Sequence, residues 1–198
     1  GIGQRSLHGA ARELSPTMGD GSAPYTGGCA CGAVRLTIDA QPVTTRQCWC
    51  RQCQQTAAGG PTNNAMFLLA DIELTGTLGE RQTPAASGNT LSQFFCPACG
   101  VPVFGQSSAR RHMGSFRLGF LDEGHGLKPD TAIWLDDAPD WAVIDPDLPK
   151  FARQPPPPAR SPPAMRRQDA PSIWWLTTST RGRSWDSPGC PSCRATTQ

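Results

Sequence analysis

The sequence predicts a mainly β fold: antiparallel sheets forming a single metal-pinned domain over residues 25–152, between ends with no regular pattern. Three observations predict it. Short runs alternate apolar and polar residues, and no window of about eleven residues carries a helical stripe. Seven cysteines between Cys29 and Cys99 fall into three tight clusters.

The stretch AVRLTID places Val34, Leu36 and Ile38 on one face and Arg35 and Thr37 on the other, as a half-buried strand requires. AMFLLADIEL (65–74), TLSQFF (90–95), VPVF (101–104) and HMGSFRLGF (112–120) are short apolar or β-rich runs bounded by Gly, Pro, Asn and Asp. Such runs, closely spaced with turn signals between them, indicate antiparallel sheets. The best helix candidate is one or two turns at RQCQQTAA (51–58).

The ends read differently. Residues 1–24 are polar and unpatterned, a flexible extension in which Met18 is a candidate start. Residues 153–198 open on RQPPPPARSPPAMRRQDAP, where proline removes backbone donors and fixes φ, so a Pro/Arg-rich low-complexity tail is expected there. Trp174 and Trp175 follow without sustained periodicity. The closing CPSC (Cys190, Cys193) reads as a chance pair, because no matching pair lies nearby.

Charge weighs against nucleic acid. The net charge is +2, yet residues 25–152 hold 9 Lys/Arg against 12 Asp/Glu, while 7 Arg and 2 acidic residues lie beyond. The folded part therefore offers no basic surface to grip phosphates. The longest aliphatic stretch, Ala65–Ala70, is far short of the roughly 18 residues a membrane-spanning helix needs. The start of the chain lacks the basic-then-apolar layout of a signal peptide. Nine cysteines without an export signal point to a reducing, cytoplasmic setting where clustered thiols bind metal.

CACG and CPACG each end in cysteine followed by glycine. Glycine accepts the positive φ of a tight turn, and such a turn lets backbone N–H groups face sulfur. Four thiolates from two such knuckles close a tetrahedral zinc site, so Cys29, Cys31, Cys96 and Cys99 are the expected structural ligands. Pairing Cys29 and Cys31 with two of the middle cysteines is an open alternative. Cys48, Cys50 and Cys53 remain as a three-thiolate set, the arrangement expected of a catalytic zinc with one open position. Three thiolates on Zn²⁺ leave a net −1. Such an ion is a poor generator of hydroxide and better suited to holding an incoming thiol as thiolate. Closure by His112, His125 or a tail cysteine would make this a second structural site. His8, His112 and His125 read as surface residues, and Trp134 and Trp141 as packing.

GGCACGAVR, CWCRQC followed by Gly59 and Gly60, FFCPACGVPVF, the IW pair and DLPKF occur in that order. They resemble the glutathione-dependent formaldehyde-activating (GFA) family, which includes the centromere protein V type domain. The resemblance spans about Tyr25 to Ala152. It implies antiparallel sheets of the β-tent type and two zinc ions per chain. Cys29, Cys31, Cys96 and Cys99 would hold the structural ion, and Cys48, Cys50 and Cys53 the catalytic one. It also implies a carbon–sulfur lyase activity joining formaldehyde, or a related small aldehyde, to glutathione or a similar small thiol, giving S-hydroxymethylglutathione in the named reaction. Many relatives carry histidine where this chain has Trp49, an exchange expected to change the polarity beside the open position. A non-catalytic, zinc-stabilised binding module for a partner protein is the alternative from another functional class.

Overall fold

The computed structural model describes residues 20–155. His8, Met18, Trp174, Trp175, Cys190 and Cys193 lie outside the described residues. The elements in order are β1 (Tyr25–Gly28), β2 (Arg35–Ile38), β3 (Thr44–Cys48), α1 (Arg51–Thr56), β4 (Thr62–Leu68) and β5 (Ile72–Thr75). There follow β6 (Gly79–Pro84), β7 (Thr90–Phe95), β8 (Pro102–Ser107), β9 (Met113–Arg117) and β10 (Ala132–Ile133). The fold is mainly β. A 3-stranded sheet runs β1-β2-β5 and a 7-stranded sheet runs β10-β3-β4-β9-β8-β7-β6. All pairings within them are antiparallel except β10 with β3, which is parallel.

The apolar run at 65–74 is not one strand. A 3-10 turn at Leu69–Asp71 breaks it, so its first half joins the large sheet in β4 and its second half joins the small one in β5. The turn carries the chain from one layer to the other. The alternation read in AVRLTID holds, with Val34, Leu36 and Ile38 all buried. The expected helix is α1, a six-residue element.

Aromatic rings fill the space between the layers. Register places Phe94 opposite Phe104, Phe104 opposite Phe116 and Phe116 opposite Ala65, so these side chains share one face of the large sheet. Their rings stack at 4.4 Å for Phe94–Phe104 and 4.7 Å for Phe104–Phe116. Phe67 meets Phe116 edge-on, and Tyr25 of the small sheet packs on Phe67. Burying each ring stabilises the fold by about 1.5–3 kcal/mol relative to exposure. With this face committed to the core, the period of two turns every second residue of β3, β4 and β9 away from it.

Candidate metal centres and the adjoining cavity

Two thiol clusters form. The sulfur atoms of Cys29, Cys31, Cys96 and Cys99 lie within 4.8 Å of one another, and so do those of Cys48, Cys50 and Cys53. The structure thus groups the seven cysteines as the knuckle argument did. Neither His112 nor His125 joins a cluster.

The two knuckles share a backbone pattern. Cys29 donates its N–H to Val34 O while Gly32 donates to Cys29 O; Cys96 donates to Val101 O while Gly100 donates to Cys96 O. Gly32 and Gly100 sit at φ +75° and +76°, the left-handed region that favours glycine. The Val34 amide also donates to Cys29 Sγ at 3.2 Å, a contact that favours thiolate. The first knuckle joins β1 to β2 in the small sheet, and the second joins β7 to β8 in the large one, so an ion held by both would tie the layers together. The donor spacing suits zinc. Cys29 Sγ lies 3.5 Å from Cys31 Sγ, and Cys31 Sγ lies 3.7 Å from Cys96 Sγ. A tetrahedral ZnS₄ centre with bonds of about 2.3 Å needs sulfurs about 3.8 Å apart.

The middle cluster is built by the end of β3 and the start of α1. Cys48 is the last residue of β3, Cys50 precedes α1, and Cys53 lies within its first turn. Gln54, buried in α1, donates to Trp49 O at 2.6 Å and to Asp137 O at 2.7 Å, which fixes the helix against the loops on either side. The thiols compete for charge. Hydrogen bonds from Cys48 and Cys53 pull Cys50 down to about 3, with help from the amides of Cys53 and Gln52. Cys48 is pushed up by the neighbouring Cys50 and Cys53 and by burial. Three thiolates at this spacing need a cation between them.

The clusters differ in their surroundings. A cavity of about 610 Å³ is lined by Cys48, Cys50 and Cys53, and by none of the other four cysteines. Its floor is the face of the large sheet turned away from the aromatic core. Arg46 on β3 pairs with Asn64 on β4, which pairs with Arg117 on β9, forming one polar rung two residues along from Cys48. A second rung runs from Thr44 through Met66 to Ser115 and Gly105. Arg117 donates through Nη1 to Asn64 Oδ1, and Asn64 Nδ2 donates to Thr62 Oγ1 at 2.9 Å. These polar residues were missed by sequence reasoning. TTRQC has no apolar alternation to mark β3 as a strand, although Arg46 and Cys48 at a spacing of two are the signal that could have found the rung.

The tryptophans correct two expectations. Trp49 does not flank the open side of the cluster: it points to the face opposite Cys48, is 2% exposed, and donates through Nε1 to Gln47 Oε1 at 3.0 Å. Strand alternation forces this, because neighbours of Cys48 along β3 project away from the cavity. Trp134 lines the cavity instead of packing in the core, held at φ +61° beneath the Arg153 guanidinium, 5.4 Å from its ring. Trp141 is 65% exposed and meets Trp49 edge-on at 6.4 Å.

A family model described as glutathione-dependent formaldehyde-activating enzyme matches residues 24–137. The chain belongs to this family. No curated protein sequence matches the chain. A crystal structure of a Rhodobacter sphaeroides protein from a structural genomics programme aligns at 22% identity. That alignment covers 52% of this chain and 91% of the other, with a TM-score of 0.41. Among the described residues, no helix of this GFA family member is long and apolar enough to cross a membrane.

Proposed function

We propose that residues 25–152 form a zinc-dependent enzyme of the carbon–sulfur lyase class, adding a small thiol to formaldehyde or a related small aldehyde. One observation carries this reading: of seven clustered thiols, the three with a vacant ligand count are the three that line the cavity. A four-thiol centre can close on itself, whereas three thiols at a cavity wall leave a coordination position facing a space for a ligand. Family membership supports the pairing of thiol and aldehyde.

Zinc is the ion that fits both donor sets, giving two per chain, with Cys29, Cys31, Cys96 and Cys99 structural and Cys48, Cys50 and Cys53 catalytic. At the second set it would lower the pKa of a bound thiol and keep it nucleophilic. The chain's own residues bind and orient. Met66, Leu91 and Trp134 give the cavity apolar wall, and Asn64, Ser115 and Arg117 supply polar groups on its floor. In the reaction a C–S bond forms, the carbonyl π electrons move to oxygen, and the proton lost by the thiol ends on that oxygen. There is no net oxidation. Holding both small reactants in one cavity supplies proximity, with effective molarities worth several orders of magnitude in rate. Clustered thiols serving as metal ligands fit a reducing, cytoplasmic compartment. The alternative of a binding module draws on Trp141 and on Val143, 88% exposed, but leaves the cavity without a role.

X-ray absorption at zinc tests the proposal. With one four-sulfur and one three-sulfur site, the average sulfur count is about 3.5 and rises towards 4 when glutathione is added. An average of about 4 without added thiol means the second site is closed, and the enzymatic reading fails.

A further inference from the structure

Building on the cavity as the thiol site, we propose that Arg46 and Arg117 form an anion seat that binds a carboxylate of the substrate, so that the thiol accepted is a carboxylate-bearing one. The two arginines flank Asn64 across three neighbouring strands, on the same face as Cys48. Arg46 is two residues from Cys48 along β3, a Cα separation of about 7 Å. An anion held there and a sulfur held at the cluster are therefore within reach of a single ligand of several bonds' length.

Arg46 is buried and Arg117 half-buried, and beyond the Arg117–Asn64 hydrogen bond neither guanidinium meets a side-chain acceptor among the described residues. Arg46 is 9% exposed, and its Nε and that of Arg117 are buried with no acceptor. Among the described residues the ion pairs are Arg35–Asp122 and Arg153–Asp136, and neither cavity arginine joins one. Arg117 lies over Gly105 and lines the cavity with it. Burying a cation without a counter-charge is costly, and a carboxylate ligand would offset that cost with paired hydrogen bonds.

The thiol cluster does not account for the charge by itself. Four guanidinium groups line the cavity, those of Arg46, Arg51, Arg110 and Arg117, against one carboxylate, Asp137. A divalent ion on three thiolates contributes one further negative charge. Two unit positive charges remain for the ligand to meet, one through its thiolate and one through a carboxylate. That balance suits a thiol whose remaining groups carry about one net negative charge, as a carboxylate does, and falls short of one carrying several phosphates. A space of about 610 Å³ also suits a ligand of peptide size better than a two-carbon thiol.

Calorimetric titration of the zinc-loaded full chain with glutathione, its diethyl ester and S-methylglutathione tests the seat. The native chain is expected to bind the acid roughly tenfold or more tightly than the ester, since charged hydrogen bonds of this kind carry at least that ratio. In Arg46→Gln and Arg117→Gln this preference should fall towards one, with ester affinity unchanged within about twofold. Arg46→Gln is read alone if the second variant does not fold. Equal binding of acid and ester by the native chain overturns the proposal, as does an Arg46→Gln variant that weakens both alike. S-methylglutathione keeps the carboxylates and lacks the free thiol. If its binding depends on the arginines while glutathione leaves zinc's sulfur count unchanged, the seat stands and the thiol reading falls. If its binding does not depend on them, the seat falls whatever glutathione does at the metal.

Discussion

Replacing Cys96 with serine is expected to unfold the domain, whereas replacing Cys50 is not. Cys96 has no exposed surface and starts the knuckle between β7 and β8, while Cys29 and Cys31 face it from the knuckle between β1 and β2. The centre they form is therefore a link between sheets as well as within a turn. Structural zinc contributes on the order of 10–16 kcal/mol, comparable with a whole domain's stability of about 5–15 kcal/mol. A serine hydroxyl at this buried position also needs a new hydrogen-bond partner, at a cost of about 1–3 kcal/mol if none is found. The aromatic stack remains, but its contribution is already part of the marginal total. Zinc content per chain and a thermal melt form the assay. Cys96→Ser should lose cooperative melting and be recovered as aggregate. Cys50→Ser should melt cooperatively with one zinc retained. A Cys96→Ser chain with two zinc ions and a native-like transition would refute both the pairing and the argument that the sheets depend on it.

The remaining expectations concern turns, boundaries and pH. Gly32→Ala and Gly100→Ala place a Cβ in open space and should each cost about 1–2 kcal/mol from the left-handed backbone alone, measured by denaturant melts. Gly76→Ala should be far worse, because at φ +95° its Cβ would sit 2.0 Å from Ala33 O; similar losses at all three positions would contradict this. A chain ending at residue 155 should keep both zinc ions, and loss of one on truncation would show that a tail cysteine closes the second site. Ending at Ala152 should additionally disturb the cavity, since Arg153 pairs with Asp136 at 3.0 Å and Gln154 lines the space. Zinc affinity at Cys48, Cys50 and Cys53 should rise with pH, because Cys48 has a raised pKa and must surrender its proton to bind. Chelator competition giving the same affinity at about pH 6 and about pH 8 would refute that.

Local pattern was enough for much of this protein. Alternation in AVRLTID identified β2 and its buried face, because a period of two is visible within a few residues. The cysteine–glycine endings identified both knuckles, because a left-handed turn after a ligand leaves its mark in adjacent residues. That mark favoured grouping the thiols as four and three over the alternative pairing, and the fold brings the sulfur atoms together in those two sets. Other features had no local signature. The run at 65–74 is apolar through Ala70 and alternates from Asp71 onward, and only the stacking of two layers decides that a turn at Leu69–Asp71 divides it between them. β3 and β6 carry mostly polar residues, so their strand character comes from pairing with neighbours and not from their own pattern. The side on which Trp49 falls depends on the face that β3 gives to the core. The rung of Arg46, Asn64 and Arg117 joins residues far apart in the chain. Strand register alone brings those three together, because hydrogen-bonded pairing fixes which distant residues share a face, and that pairing is a property of the folded sheet.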